Sequence, residues 1–201
     1  MKRLHRSDLY GWSQFNTERN IDFHSILWVR DQGNVMIDPL PLSNHDKYHL
    51  DELGGVATII LTNSDHVRAT AEIVEQTAAR VLGPSAERDG FPIDCSGWLE
   101  EGDEVAPHLQ ACALDGSKTP GELALVLEGT TLITGDLIRA HEGGRLCLLP
   151  DAKLADKAAA IASVSRLAEL RQIDAVLPGD GWPVFRDGSV RLRELVSTIT
   201  T

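Results

Sequence analysis

Four short polar clusters carry the residues able to do chemistry. They are Thr62-Asn63-Ser64-Asp65-His66, Gly116-Ser117-Lys118-Thr119-Pro120-Gly121, Thr134-Gly135-Asp136 and Pro178-Gly179-Asp180-Gly181. Each also has an ordinary structural use. Asn63, Ser64 and Asp65 are good helix N-caps, and negative charge there suits a helix dipole. Thr119-Pro120-Gly121 is turn chemistry, Gly135-Asp136 a plain strand exit and Pro178-Gly179 another turn. The ionisable groups among them are Asp65, His66, Lys118, Asp136 and Asp180, with Lys118 a fixed positive charge.

The elements that must position these clusters read as a layered α/β domain. Phe23–Arg30 and Asn34–Asp38 resemble a hairpin joined at Gln32-Gly33. A short helix capped by Ser43 is expected to run through Leu53. Val56–Thr62 is nearly all apolar or β-branched, the pattern of a strand buried on both faces. A helix to about Ala79 and a strand at Val81–Gly83 would complete a βαβ unit. The middle third carries four short strand candidates, Ile93–Leu99, His108–Leu114, Leu123–Leu127 and Thr131–Thr134, which suggest an antiparallel section. The Ala-rich stretch from Lys153 to Gln172 reads as a helix, Asp174–Leu177 as a strand, and the segment from Ser189 as a final helix. Strands flanked by helices predict packed sheets with helices outside, in one domain spanning residues 1–201.

Composition narrows the function. Nineteen Lys and Arg against thirty Asp and Glu leave a net charge of −11. An acidic surface argues against nucleic acid and against a polybasic membrane contact. No apolar run approaches the roughly 18–20 residues that cross a bilayer, and the basic start lacks the apolar stretch of a secretory signal. Cys95, Cys112 and Cys147 form no C-x-x-C pair, so they read as buried thiols of a cytoplasmic protein.

The order of the clusters resembles the metallo-β-lactamase superfamily, whose enzymes carry T-H-x-H-x-D-H, G-H-T-P-G-S, T-G-D and P-G-H-G in sequence. Val35–Asp38 also looks like that family's second-strand "LID". The resemblance runs from about Ser25 to Asp180 and implies a four-layer αββα sandwich with a two-metal hydrolytic site. The ligand set is depleted here. With two residues missing after Thr62, both leading histidines are gone, and Lys118 stands where another histidine would be. Asp65 and His66 then match the family's Asp-His pair, Asp136 the shared aspartate, and Asp180 replaces the last histidine. The resemblance thus implies a set of three carboxylates and one imidazole, which suits Mn²⁺, Fe²⁺ or Mg²⁺ at least as well as Zn²⁺. A protonated Lys118 cannot ligate.

One divalent ion, Mn, Fe or Zn, is the resulting expectation, with Lys118 in the place of the second. Three carboxylates at −3 would then balance a divalent ion and an ammonium at +3. The chain would be a metal-dependent hydrolase of a small molecule, with Lys118 polarising the scissile group and Asp65 or Asp180 acting as base. Ser117 and Thr119 would line the rim, with Arg139 a candidate partner for an acidic substrate group and His141 an extra acid in a flexible loop. The competing expectation is a metal-free polar network in an inactive module that binds a small molecule or serves in an assembly. Thioester, lactone, phosphodiester and amide substrates all stay open. So does oligomeric state, a homodimer being common for acidic chains of this size.

Overall fold

A computed structural model describes residues 1–200. Alternation of side chains along the strands builds the architecture. The first sheet runs in the order β1 (Lys2–Arg3), β2 (Leu9–Asn16), β3 (Ile21–Trp28), β4 (Val35–Ile37), β5 (Thr58–Ile60), β6 (Arg80–Pro84) and β7 (Gly97–Leu99). Strands β1 to β4 pair antiparallel and β4 to β7 parallel. The second sheet joins β8 (Glu104–Ala106), β9 (Leu109–Leu114), β10 (Glu122–Leu127) and β11 (Thr131–Thr134) in antiparallel order. A separate hairpin, β12 (Ile138–Glu142) and β13 (Arg145–Leu148), follows it, and β14 (Ala175–Pro178) then lies parallel to β11.

Each strand presents successive residues to opposite faces. Ile26, Val35, Ile37, Ile60 and Leu82 of the first sheet share one apolar cluster with Leu109, Leu123, Leu125, Ile133 and Leu177 of the second. The alternate residues Leu27, Met36, Ile59, Leu61 and Val81 face outward, where α1 (Asn44–Glu52) contributes Leu50 and α2 (Thr70–Thr77) contributes Ile73. On the far side, Ala124, Val126, Leu132 and Val176 meet α3 (Lys157–Ala168) and α4 (Gly188–Ile199) through Val164, Leu167, Leu192 and Leu195. Two period-two sheets thus bury both their faces, giving the helix–sheet–sheet–helix order expected above.

Several local expectations change. The helix read from Asn63 to Ala79 is two pieces: a 3-10 turn at Ser64–His66 and then α2. Between them Arg68 takes a left-handed backbone, φ 43. Asn63 does cap, accepting from the Asp65 N–H at 3.0 Å, but it caps the 3-10 turn. His141 lies in β12, so its expected loop is a hairpin turning at Gly143-Gly144. The three cysteines are free but only partly buried. Strands β1 and β2 escaped the sequence reading because LYGWSQFN alternates poorly, its second half being exposed.

Strands β4, β5, β11 and β14 all end on the same rim of the sandwich, and β10 begins there. Asp38 follows β4, and each of the other four strand ends carries one of the polar clusters, as ligand-binding loops of layered α/β domains do.

Candidate metal centre

The site is organised by a buried aspartate at the end of β4. Asp38 holds a left-handed backbone, φ 49, which Asp tolerates better than most residues. Its carboxylate accepts from the Thr62 N–H at 2.8 Å, the Thr62 hydroxyl at 2.6 Å and His66 Nδ1 at 2.7 Å. With Nδ1 held there, the far ring nitrogen of His66 turns into the cleft, 3.4 Å from Asp136 Oδ2. Close backbone approach is needed for this. A Cβ on Gly135 would lie 2.6 Å from Thr62 Oγ1, and one on Gly179 would lie 2.9 Å from His66 Cε1. Those distances require glycine at both loops.

Asp136 is the hub. Its Oδ2 accepts from Asn63 at 3.1 Å and pairs with Lys118 Nζ at 2.8 Å. Lys118 also reaches Asp65 Oδ2 at 2.7 Å, so one ammonium bridges two carboxylates. Asp180, at the end of β14, is held by the Arg139 guanidinium from β12, and Arg68 Nη2 stands 3.9 Å from its other oxygen. The same Arg68 nitrogen lies 3.3 Å from His66 Nε2, while Nη1 donates to the carbonyls of His24 at 2.7 Å and Asp38 at 3.0 Å. Beneath the hub, Glu122 accepts from the Ser117 hydroxyl at 2.6 Å and the Leu137 N–H at 2.8 Å.

These contacts set the charges. Burial alone would lower the His66 pKa, but the Asp38 charge and hydrogen bonds to Asp136 and Asp38 raise it to about 10. Burial pushes Asp136 the other way and is overcome by the hydrogen bonds and charges of His66 and Lys118, which hold its carboxyl well below the usual range. Lys118 is raised, its two carboxylate partners outweighing desolvation. Glu122 is pushed up to about 7, chiefly by burial and then by the Asp136 charge.

Of the four donors named from sequence, three converge. His66, Asp136 and Asp180 are all buried, and each offers a ligand atom within 4.8 Å of the others. Asp180 Oδ1 is buried with no hydrogen-bond partner, its nearest cation being Arg68 Nη2 at 3.9 Å. The Asp38–His66 pair has the form that orients a ligating imidazole in metal sites. This donor set fits one divalent ion provided that His66 gives up its Nε2 proton, since an imidazolium cannot ligate. Asp65 does not join it: its side chain is 54% exposed and turned to Lys118. The Lys118 ammonium lies between Asp65 and Asp136. Ser117 and Thr119 are buried inside their loop rather than on the rim, Thr119 donating to the Gly121 carbonyl. Arg139, also buried, faces the cleft.

Sequence reasoning did not assign Asp38, Arg68 or Glu122 to the site. The Asp38-Pro39 end of a strand was the signal for the first; Arg68 and Glu122 gave none.

The family model described as metallo-beta-lactamase superfamily matches residues 1–199. The chain belongs to the metallo-β-lactamase superfamily. No curated protein matches it. Among solved structures of metallo-β-lactamase fold, a metallo-β-lactamase from Pontibacter korlensis superposes with a TM-score of 0.78 at 15% identity, covering 100% of this chain and 98% of that one. FIM-1 from Pseudomonas aeruginosa, in its mono-zinc form, gives a TM-score of 0.72 at 12% identity over 94% and 90%. The protein TTHA1623, in a di-iron-bound form, gives 0.65 at 26% identity over 87% and 94%. The fold and the family are therefore shared with metal-binding proteins of the superfamily, and His66 is the one histidine in this chain's four polar clusters.

Proposed function

We propose that this chain is a hydrolase using one divalent cation, Mn, Fe or Zn, held by His66, Asp136 and Asp180, with the Lys118 ammonium in place of a second ion. The convergence of those three buried side chains, one with an unsatisfied oxygen, is the observation that supports it most. A divalent cation there supplies Lewis acidity, which makes water a competent nucleophile near neutral pH.

The chain's own groups do the rest. Lys118 keeps its charge, since its pKa is raised, and it lies on the cleft wall. From there it stabilises the oxyanion that develops as water adds to a carbonyl or phosphoryl group. Asp65, exposed and steered by Lys118, is the group able to accept the proton of the attacking water. Asp38 is a positioning residue that fixes the His66 ring. The net charge of −11 favours a small-molecule substrate over nucleic acid. Among the described residues no helix is long and apolar enough to cross a membrane, and with three free thiols this supports a cytoplasmic setting.

Elemental analysis of protein purified without chelator tests the reading. Near-stoichiometric Mn, Fe or Zn is expected, and Asp136→Ala should lose it. A metal-free native protein whose thermal stability ignores added Mn²⁺ and Zn²⁺ would sink it.

A second reading, a metal-free binding pocket, is favoured by the charge count. Asp38, Asp65, Asp136 and Asp180 are matched by Lys118, Arg68, Arg139 and a protonated His66 without any ion. The same elemental analysis separates the two.

A further inference from the structure

The cleft above the site is basic in an acidic protein. Eight ionised side chains besides His66 line it, five basic and three acidic, for a local balance of +2 against −11 for the whole chain. Three of the five cations are already engaged: Lys118 by Asp65 and Asp136, Arg68 by two carbonyls and the Asp180 edge, Arg139 by Asp180. The other two are Arg19, at the turn between β2 and β3, and Lys153, in the 3-10 turn after β13. Neither has an ion-pair partner among the described residues.

Arg139 supplies an independent sign. It is 6% exposed and lines the cleft, yet its Nε is buried without any acceptor. A buried guanidinium N–H left unpaired is costly, so a group that brings an oxygen to it is strongly favoured. The cleft has a volume of about 610 Å³, within the range that holds a small organic molecule. Phe23, Leu40 and Leu149 form its apolar wall.

From this arrangement we infer that the cleft takes a small anionic molecule, a carboxylate or phosphate on a short apolar body. Its charged end accepts from Arg139 Nε and faces Arg19 and Lys153, and its apolar part lies on Phe23 and Leu149. The inference deepens the proposed function, resting on it for the statement that this ligand is the substrate. A neutral ligand could offer Arg139 Nε a carbonyl oxygen but would leave the charges of Arg19 and Lys153 unanswered. The repulsion of the acidic surface does not prevent entry, because charges beyond about 8 Å are largely screened at physiological salt.

The test is calorimetric titration of the full chain with inorganic phosphate, hexanoate and neutral hexanamide at fixed ionic strength, as isolated and after EDTA dialysis. Phosphate or hexanoate should bind at least about tenfold more tightly than hexanamide, and the better of the two identifies the head group. The double variant Arg19→Gln/Lys153→Gln, altered only at exposed positions, should lose about tenfold in anion affinity with an unchanged melting temperature. Arg139→Lys keeps the ion pair to Asp180 but deletes the Nε donor, and it should weaken the anion several-fold. Equal binding of hexanamide, indifference to the double variant, or no anion binding up to about 50 mM would each overturn the inference. Anion binding that disappears with EDTA and ignores the double variant overturns it while leaving the metal reading intact. Undiminished anion binding by a protein that never held metal supports it and removes the metal reading.

Discussion

Glu122 offers the sharpest test of the electrostatics beneath the site. It is fully buried at the start of β10, and its pKa of about 7 lies well above the ordinary 4.5, because burial and the Asp136 charge both oppose ionisation. Between those values the unfolded chain has released this proton while the folded chain still holds it. Stability therefore falls as pH rises from about 4.5 to 7 and levels off above. At about 1.4 kcal/mol per pKa unit, the loss is on the order of 3 kcal/mol. Glu122→Gln removes the titration and keeps the geometry. The amide oxygen can still accept from the Leu137 N–H, and the amide nitrogen can donate to Ser117 once that hydroxyl rotates. The variant should match the parent near pH 5 and exceed it by roughly 2–3 kcal/mol at pH 8, a rise in Tm of about 4–12 °C for a chain of this size. Urea unfolding at a series of pH values between 5 and 8 reads this directly. A stability difference that stays constant across the series would refute the assignment of the titration to Glu122.

Three other outcomes follow from the same geometry. Asp38→Ala strands the buried Thr62 N–H and removes the carboxylate shared by the Thr62 hydroxyl and His66 Nδ1, so it should cost about 3–5 kcal/mol in urea unfolding. Lys118→Met removes one of the charges that depress Asp136; carboxyl NMR titration should show the Asp136 pKa rising, with His66 and Asn63 keeping it below the usual range. Leu125→Ala empties a fully buried position between the sheets and should cost about 2–5 kcal/mol, with no change in the pH dependence set by Glu122.

The layers were legible because the central strands of both sheets are buried on both faces and read as near-continuous apolar runs. VMID, VATIILT and ELALVL announce buried strands, and turn residues bound them. The broken helix at residues 64–77 was not, because its cause is tertiary. Nothing in Val67-Arg68-Ala69 marks a stop, yet Arg68 is pulled into a left-handed conformation by carbonyls and carboxylates from other elements. The site divides similarly. Asp136 and Asp180 follow strand ends beside glycines, and Lys118 lies in a turn bounded by Gly116 and Gly121, where pattern alone draws attention. Asp38 acts on a histidine 28 residues away, and Arg139 on an aspartate 41 residues away. Such pairings have no spacing rule and become visible only when the strands are assembled.

Arg68 also bears on how the depleted motif is to be aligned. Assuming two missing residues pairs Asp65-His66 with the family's Asp-His. Laid without a gap, Thr62-Asn63-Ser64-Asp65-His66-Val67-Arg68 falls on T-H-x-H-x-D-H with Asn63, Asp65 and Arg68 at the three histidine positions. The side chains favour the second alignment. Asn63 and Asp65 both turn to the Asp136–Lys118 pair, and Arg68 turns to Asp180, whereas Asp65 and His66 face different partners. On that alignment Arg68 itself stands at a histidine position and Lys118 bridges Asp65 and Asp136, while His66 reaches the cleft from a place where the motif has no ligand. The question becomes one of competition at Asp180 Oδ1, where an ion would have to displace Arg68, a cation 3.9 Å away. Arg68→Gln keeps amide donors for the His24 and Asp38 carbonyls while removing the charge. If one ion belongs between His66, Asp136 and Asp180, this variant should bind Mn²⁺ or Zn²⁺ at least about tenfold more tightly than the parent in direct titration. Equal affinity would mean that the guanidinium does not contest the site.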